Sequence, residues 1–347
     1  MRRRTFLATA LAVGAAPLSA QAPRGHAAGE RERAVEELAR RLQEGYVDPP
    51  TGRRYAARLR ERLAAGAYAG SSDPVLLGEL LTADLQAVAP DRHLRVSAAA
   101  TLPARQPRSP APGAPSGPAR GRIWNPSVQD AGWIANGVAY IRYTGFTGQP
   151  ESVAATEAFM RDHAGARALI VDCRYNGGGG LAEMDVILPH LFAAETRLVR
   201  FEMQEAVAKT KGLPFEGPTV RALTPAGGLV RHEHIATPRA GETRWRDAKV
   251  FYLTSPRTAS AAEHLALAFK HTGRAQLIGT ATAGANHFGG FEEFGWGMAV
   301  FLPVGRTVDL TTGKDWEAVG VAPDVTVAPE RALQEALRRA GVGLPAT

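Results

Sequence analysis

The chain has 347 residues, of which 45% are hydrophobic and 22% charged, so it can bury a sizeable core and is not a globally disordered protein. Its net charge is +7, but three of those charges are Arg2, Arg3 and Arg4, inside a stretch (residues 1–20) that holds no acid. The remaining excess is mild and scattered and gives no reason to expect a nucleic-acid partner.

The N-terminal segment "MRRRTFLATALAVGAAPLSAQA" has a basic start, an apolar stretch from Phe6 to about Ala16, and small residues around Leu18-Ser19-Ala20. Residues 1–27 therefore read as an export signal, too short and too alanine-rich for a stable membrane span, with cleavage after Ala20 or near Ala27. Arg3-Arg4-Thr5-Phe6-Leu7 fits the twin-arginine motif of bacterial export, with an ordinary secretory signal as the alternative. The expected location is periplasmic or secreted. The lone cysteine, Cys173, rules out an internal disulfide and reads as an inert core thiol.

Residues 28–100 read as an N-terminal helical domain. Val35, Leu38 and Leu42 share one face, Tyr55, Leu59 and Leu63 another, and "LLGELLTADLQAV" keeps its leucines at helical spacing until Pro90 stops it. Residues 101–122 hold six prolines and three glycines and read as a linker. From 123 to 347 strands alternate with helices. The expected strands include a pair turning at Asn136-Gly137, then 168–175, 197–204, 249–254, 275–280 and 291–302. Helices are expected over "PESVAATEAFMRDH", 181–193, about 259–271 and "PERALQEALRRA". This alternation predicts an α/β core with a mixed sheet.

Two strand ends invite chemistry. "ALIVDCRYNGGGG" (168–180) runs from a buried strand into four glycines, which cannot pack a core but let backbone N–H groups approach a ligand; a plain surface loop is the alternative. "KVFYLTSPRTASAAEHLALAFKH" repeats the pattern, with Ser260 in the first turn of a helix beside the N–H of Ala261. That placement suits an attacking serine. Ser260-Ala261-Ala262-Glu263 is also an S-x-x-E capping box, which by itself only starts a helix, although Thr258 offers another cap. His232 and His234 share one side of a possible strand and admit either a metal pair or, the favoured reading, a solvated loop. Asp172 and Arg174 read as braces at a strand end, and Asp324 as a turn residue.

The segments "IRYTGF", "LIVDCRYNGGGG", "LTSPRTASAAE", "LIGTATAGA" and "WEAVGVAPDV", in this order, resemble serine peptidase family S41. That family holds the tail-specific (carboxyl-terminal processing) proteases, the tricorn protease core and the interphotoreceptor retinoid-binding protein repeats. The resemblance spans roughly residues 75–97 and 133–330. It implies an α/β, crotonase-like β/α spiral core carrying the N-terminal helical domain, and Ser260 as the nucleophile. It implies an oxyanion hole from Gly178, Gly179 and Ala261, no cofactor or metal, and a peptide or protein substrate. The processing proteases use a lysine in a "GKG"-like segment; here that stretch is Gly284-Ala285-Asn286-His287. Lys270, ten residues along the helix from Ser260, lies about 15 Å away and cannot replace it. Residues 98–122 are also too few for the PDZ domain those proteases insert. Both departures point to the tricorn and retinoid-binding branch; resemblance to the tricorn core implies His93 as base and Glu317 as its partner, and Arg92 stands where that core has an auxiliary serine. His287 is a rival base or, with Asn286, a substrate contact. A non-catalytic binding module for apolar ligands or peptides is the alternative on the same fold. The oligomeric state is left open.

Overall fold

The structure is a computed structural model that describes residues 29–102 and 127–343. The expected export signal lies outside the described residues, and so does nearly all of the expected linker. Three helices come first: α1 (Glu30–Gly45), α2 (Pro49–Ala64) and α3 (Pro74–Val88). Asp48 and Asp73 start the second and third by accepting from Thr51 N and Val75 N, each with proline at the next position, where its missing N–H costs nothing. A short strand, β1 (Arg95–Ala98), follows. Then come β2 (Val128–Ala135), β3 (Val138–Tyr143), α4 (Pro150–Asp162), β4 (Ala168–Asp172) and α5 (Ala182–Leu191). The chain continues through β5 (Thr196–Gln204), α6 (Glu205–Lys211), β6 (Val220–Ala226) and β7 (Leu229–Ala236). It closes with β8 (Lys249–Thr254), α7 (Ala261–Thr272), β9 (Gln276–Gly279), β10 (Phe288–Gly295), β11 (Met298–Val308), β12 (Val325–Thr326) and α8 (Pro329–Arg339).

The strands form two sheets. One runs β12-β9-β8-β4-β3-β2, parallel except for the β2–β3 hairpin that turns at Asn136-Gly137. All five residues of β4 are buried, as a central parallel strand requires. The other sheet is antiparallel, ordered β1-β11-β5-β7-β6, with β10 also on β11. Helix α7 packs against β5 of this sheet and β9 of the other. This two-sheet α/β core is the expected fold class. No helix among the described residues is long and apolar enough to cross a membrane.

Two features differ from the expectation. The segment 291–302, read as one strand, is the end of β10 and the start of β11, joined by a tight turn at Trp296-Gly297, both at positive φ. The N-terminal segment is also not helical throughout. Its β1 pairs with β11 (Arg95 opposite Phe301), and α1–α3 share one apolar cluster with Met298, Val300, Leu302 and Val304 of β11. "RVSA" carries no hydrophobic run, so only its partner strand makes it a strand. Through this pairing the segment that carries His93 is tied directly to the core.

Candidate active site

The chain leaves β8 through Ser255 and Pro256 and enters α7 at Ser260. Thr258 braces this turn: its hydroxyl accepts from Ser255 N (2.9 Å) and donates to Cys173 O (2.8 Å). The expectation that Thr258 could cap the helix therefore fails, and Ser260 itself is the N-cap residue. Its backbone sits at φ 54°, ψ −120°, a conformation that costs a non-glycine residue about 1–3 kcal/mol. The same kind of strained strand-to-helix turn exposes the nucleophilic serine of α/β-hydrolases.

Glu263, fully buried, holds the turn in place. Its carboxylate accepts from Ser260 N (2.8 Å), Thr282 Oγ1 (2.5 Å), Gly284 N (2.7 Å) and Ala285 N (2.8 Å). Burial raises its pKa, and these four donors offset part of that rise. Glu263 thus couples the serine turn to the loop that leads to His287. Glu263→Gln, which presents an N–H₂ to donors, should cost about 2–4 kcal/mol. Thermal unfolding checks this, and an unchanged melting temperature would refute the hub role.

The glycine loop lies directly on the serine. A Cβ built on Gly178 would stand 2.6 Å from Ser260 Cβ and 3.2 Å from Ala261 N, and one on Gly179 would stand 1.9 Å from Phe146 O. Both glycines have positive φ, 103° and 137°. Phe146 pins the loop by donating to Gly178 O and accepting from Gly180 N, each at 2.8 Å. The expectation that Gly178 donates to an oxyanion needs correction, because its N–H is committed to Asn176 Oδ1 at 2.8 Å. Gly178 is needed for closeness instead. The N–H groups of Gly179 and Ala261 have no partner among the described residues. Gly178→Val should cut turnover by a factor on the order of 10² or more, with a smaller effect on peptide binding, by displacing Ser260 and Ala261. Equal losses in kcat and in affinity would contradict this.

Ser260, His93 and His287 line one cavity of about 720 Å³, together with Gly179, Arg95 and Phe301. The two imidazoles differ. His287 is buried, and its Nδ1 is 2.8 Å from Asp91 Oδ2, which also accepts from Tyr46 Oη. Burial works against a charged His287, but the Asp91 hydrogen bond and charge outweigh it and raise the pKa above the ordinary histidine value. His93 stacks on Phe301 (5.2 Å between ring centroids), and its buried Nδ1 has no partner among the described residues. Burial lowers its pKa to about 4.

Glu317 does not meet the His93 ring as expected. Its Oε1 accepts from Arg92 N (3.0 Å), and its Oε2 from Asn286 N (2.7 Å) and His287 N (3.1 Å). It clamps together the two loops that carry the imidazoles. Asn286, expected as a substrate contact, is buried and turned to β11: its amide donates to Thr307 O and accepts from Thr307 N, and it does not line the cavity. Asp91, His287 and Glu317 bring one donor atom each within 4.8 Å of one another, a spacing a metal ion could use. Those atoms are already engaged with each other or with backbone N–H groups.

A sequence profile described as peptidase family S41 matches residues 137–327, more than half of the chain. The chain belongs to peptidase family S41. It is a serine peptidase, and peptides or proteins are its substrates. The fold is similar to that of a photosystem II D1 C-terminal processing protease (18% identity, TM-score 0.53, 89% of this chain and 96% of that one). It is also similar to a lipoprotein from Streptococcus agalactiae (15% identity, TM-score 0.55, 90% and 96%).

In this S41 peptidase no lysine lines the serine's cavity. Lys270 is held by Ala322 O (2.6 Å) and faces Asp324 (3.5 Å), whose carboxylate also accepts from Leu277 N. His232 and His234 lie on strand β7, not in a solvated loop. His234 is fully buried between His264 Nε2 and Asp185 Oδ1, each at 2.8 Å, which spends both ring nitrogens. Asp172 and Arg174 do brace the strand end, paired at 2.6 Å with Tyr140 Oη also on Asp172. Burial pushes the Cys173 thiol up to about 12, consistent with an inert residue. The sequence reading missed the role of Asp91. The available signal was its place in Asp91-x-His93, at the end of a helix that stops on Pro90.

Proposed function

We propose that this peptidase is exported and cleaves peptide bonds through an acyl-enzyme on Ser260. The observation that carries the reading is the strained Ser260 turn, pressed against Gly178 and flanked by the unspent N–H groups of Ala261 and Gly179. Ser260 Oγ attacks the peptide carbonyl, a neutral imidazole takes the hydroxyl proton, and the two N–H groups hold the oxyanion. The imidazolium returns the proton to the leaving amine, and water then hydrolyses the ester with the same imidazole as base.

Two readings of the base each rest on an observation. The Asp91–His287 pair favours His287, because the carboxylate fixes the ring at Nδ1 and leaves Nε2 for the serine. The place of His93 in the same cavity, with a pKa that keeps it neutral, favours the histidine of the tricorn branch. Export rests on the basic and apolar N-terminal segment. The test is labelling with a fluorophosphonate, which reacts with an activated serine. Labelling that Ser260→Ala abolishes supports the proposal. An unlabelled wild type that still binds apolar ligands or peptides would instead make the cavity a binding module.

A further inference from the structure

Three adjacent strands build one wall of the serine's cavity. Arg95 of β1 and Phe291 of β10 are both register partners of Phe301 on β11. The Arg95 guanidinium carbon stands 5.1 Å from the Phe291 ring centroid and 6.0 Å from that of Phe301. The rings hold the cation through their faces, which spends none of its N–H donors. Arg95 is exposed and has no hydrogen bond or ion pair among the described residues. Arg306 of β11, in contrast, is paired with Glu202 and Asp315. An unspent, stacked guanidinium in a catalytic cavity is a receptor for a planar anion.

We propose that Arg95 is a specificity residue that binds a carboxylate on the peptide substrate, either an acidic side chain or the free C-terminal carboxyl. The inference rests on the peptidase reading. Two acids line the same cavity. Asp185 is engaged with His234 and Thr219, whereas Glu216 is exposed and repels a second negative group. They disfavour a carboxylate elsewhere in the cavity and confine it to the Arg95 wall.

The test uses internally quenched peptides in matched pairs: glutamate against glutamine at each position flanking the cut, and free against amidated C-terminus. The readout is the ratio of kcat/KM within a pair. The wild type should favour the carboxylate about tenfold in one arm, and that arm identifies its source. Arg95→Gln should bring the ratio close to one, Arg95→Glu should invert it, and Arg95→Lys should keep part of it. A wild-type ratio near one, or a ratio that survives Arg95→Gln, overturns the proposal. Binding of the same peptides to Ser260→Ala, with and without Arg95→Gln, reads the contact without turnover. A carboxylate preference that needs Arg95 in binding, with no hydrolysis by the wild type, upholds the contact and refutes the peptidase reading. Hydrolysis without an Arg95-dependent preference does the reverse, and no carboxylate-dependent binding in either background also overturns the proposal.

Discussion

Replacing Ser260 by alanine or by glycine is expected to abolish hydrolysis in both cases, with a loss on the order of 10⁶ in kcat, as for other serine nucleophiles. The two variants should separate in stability. At φ 54° an alanine keeps the backbone penalty of the native serine, whereas glycine adopts that conformation freely. Ser260→Gly should therefore be the more stable by about 1 kcal/mol, although glycine gives up some unfolded-state restriction. Denaturant unfolding of the two inactive proteins measures the difference. Equal stabilities would mean that the turn is not strained. Residual turnover near the wild-type level in either variant would remove Ser260 as the nucleophile. A serine that only capped the helix would show the opposite pattern, a loss of about 1 kcal/mol with turnover untouched.

The acidic limb of the kcat/KM profile should tell the two histidines apart. A base works only while neutral, so activity falls as pH drops through its pKa. If His287 is the base, the limb lies above about 6.5, because the Asp91 bond and charge more than offset burial. Asp91→Asn should then move the limb down and slow turnover by as much as about 10⁴, since the ring loses its fixed tautomer. If His93 is the base, activity persists until about pH 4, where burial has set its pKa, and Asp91→Asn has a much smaller effect. Profiles of the wild type, Asp91→Asn, His93→Ala and His287→Ala decide the matter. Near-full activity in His287→Ala would eliminate the Asp91–His287 reading, and near-full activity in His93→Ala would eliminate the other. Glu317→Gln is informative in either case. Its carboxylate ties Arg92 to Asn286 and His287 and lies 3.7 Å from His287 Nδ1, so its loss should loosen both loops, lower turnover and move a His287 limb down, by less than Asp91→Asn does.

The local patterns that name the chemistry were legible along the chain. Four buried apolar residues followed by four glycines, and a strand followed by Ser-Pro and a helix, each specify their own backbone. Strand burial, glycine freedom and helix initiation are properties of a few neighbouring residues. The order of those motifs carried the family. Pairing across the chain was not legible. β1 exists because β11 accepts it, and through that pairing Arg95 reaches Phe301 and the site. Asp91 and His287 are 196 positions apart and meet at 2.8 Å. Glu317 turned from a presumed ring partner into a backbone clamp, because three N–H groups from two loops converge on it. Gly178 changed role for the same kind of reason, since Asn176 takes its N–H and Ser260 leaves no room for a side chain. By itself the sequence determined which residue types stand at the two strand ends and, through the order of its motifs, the family. The tertiary structure decided which donor meets which acceptor, because hydrogen bonds and close contacts depend on distances that only long-range packing sets.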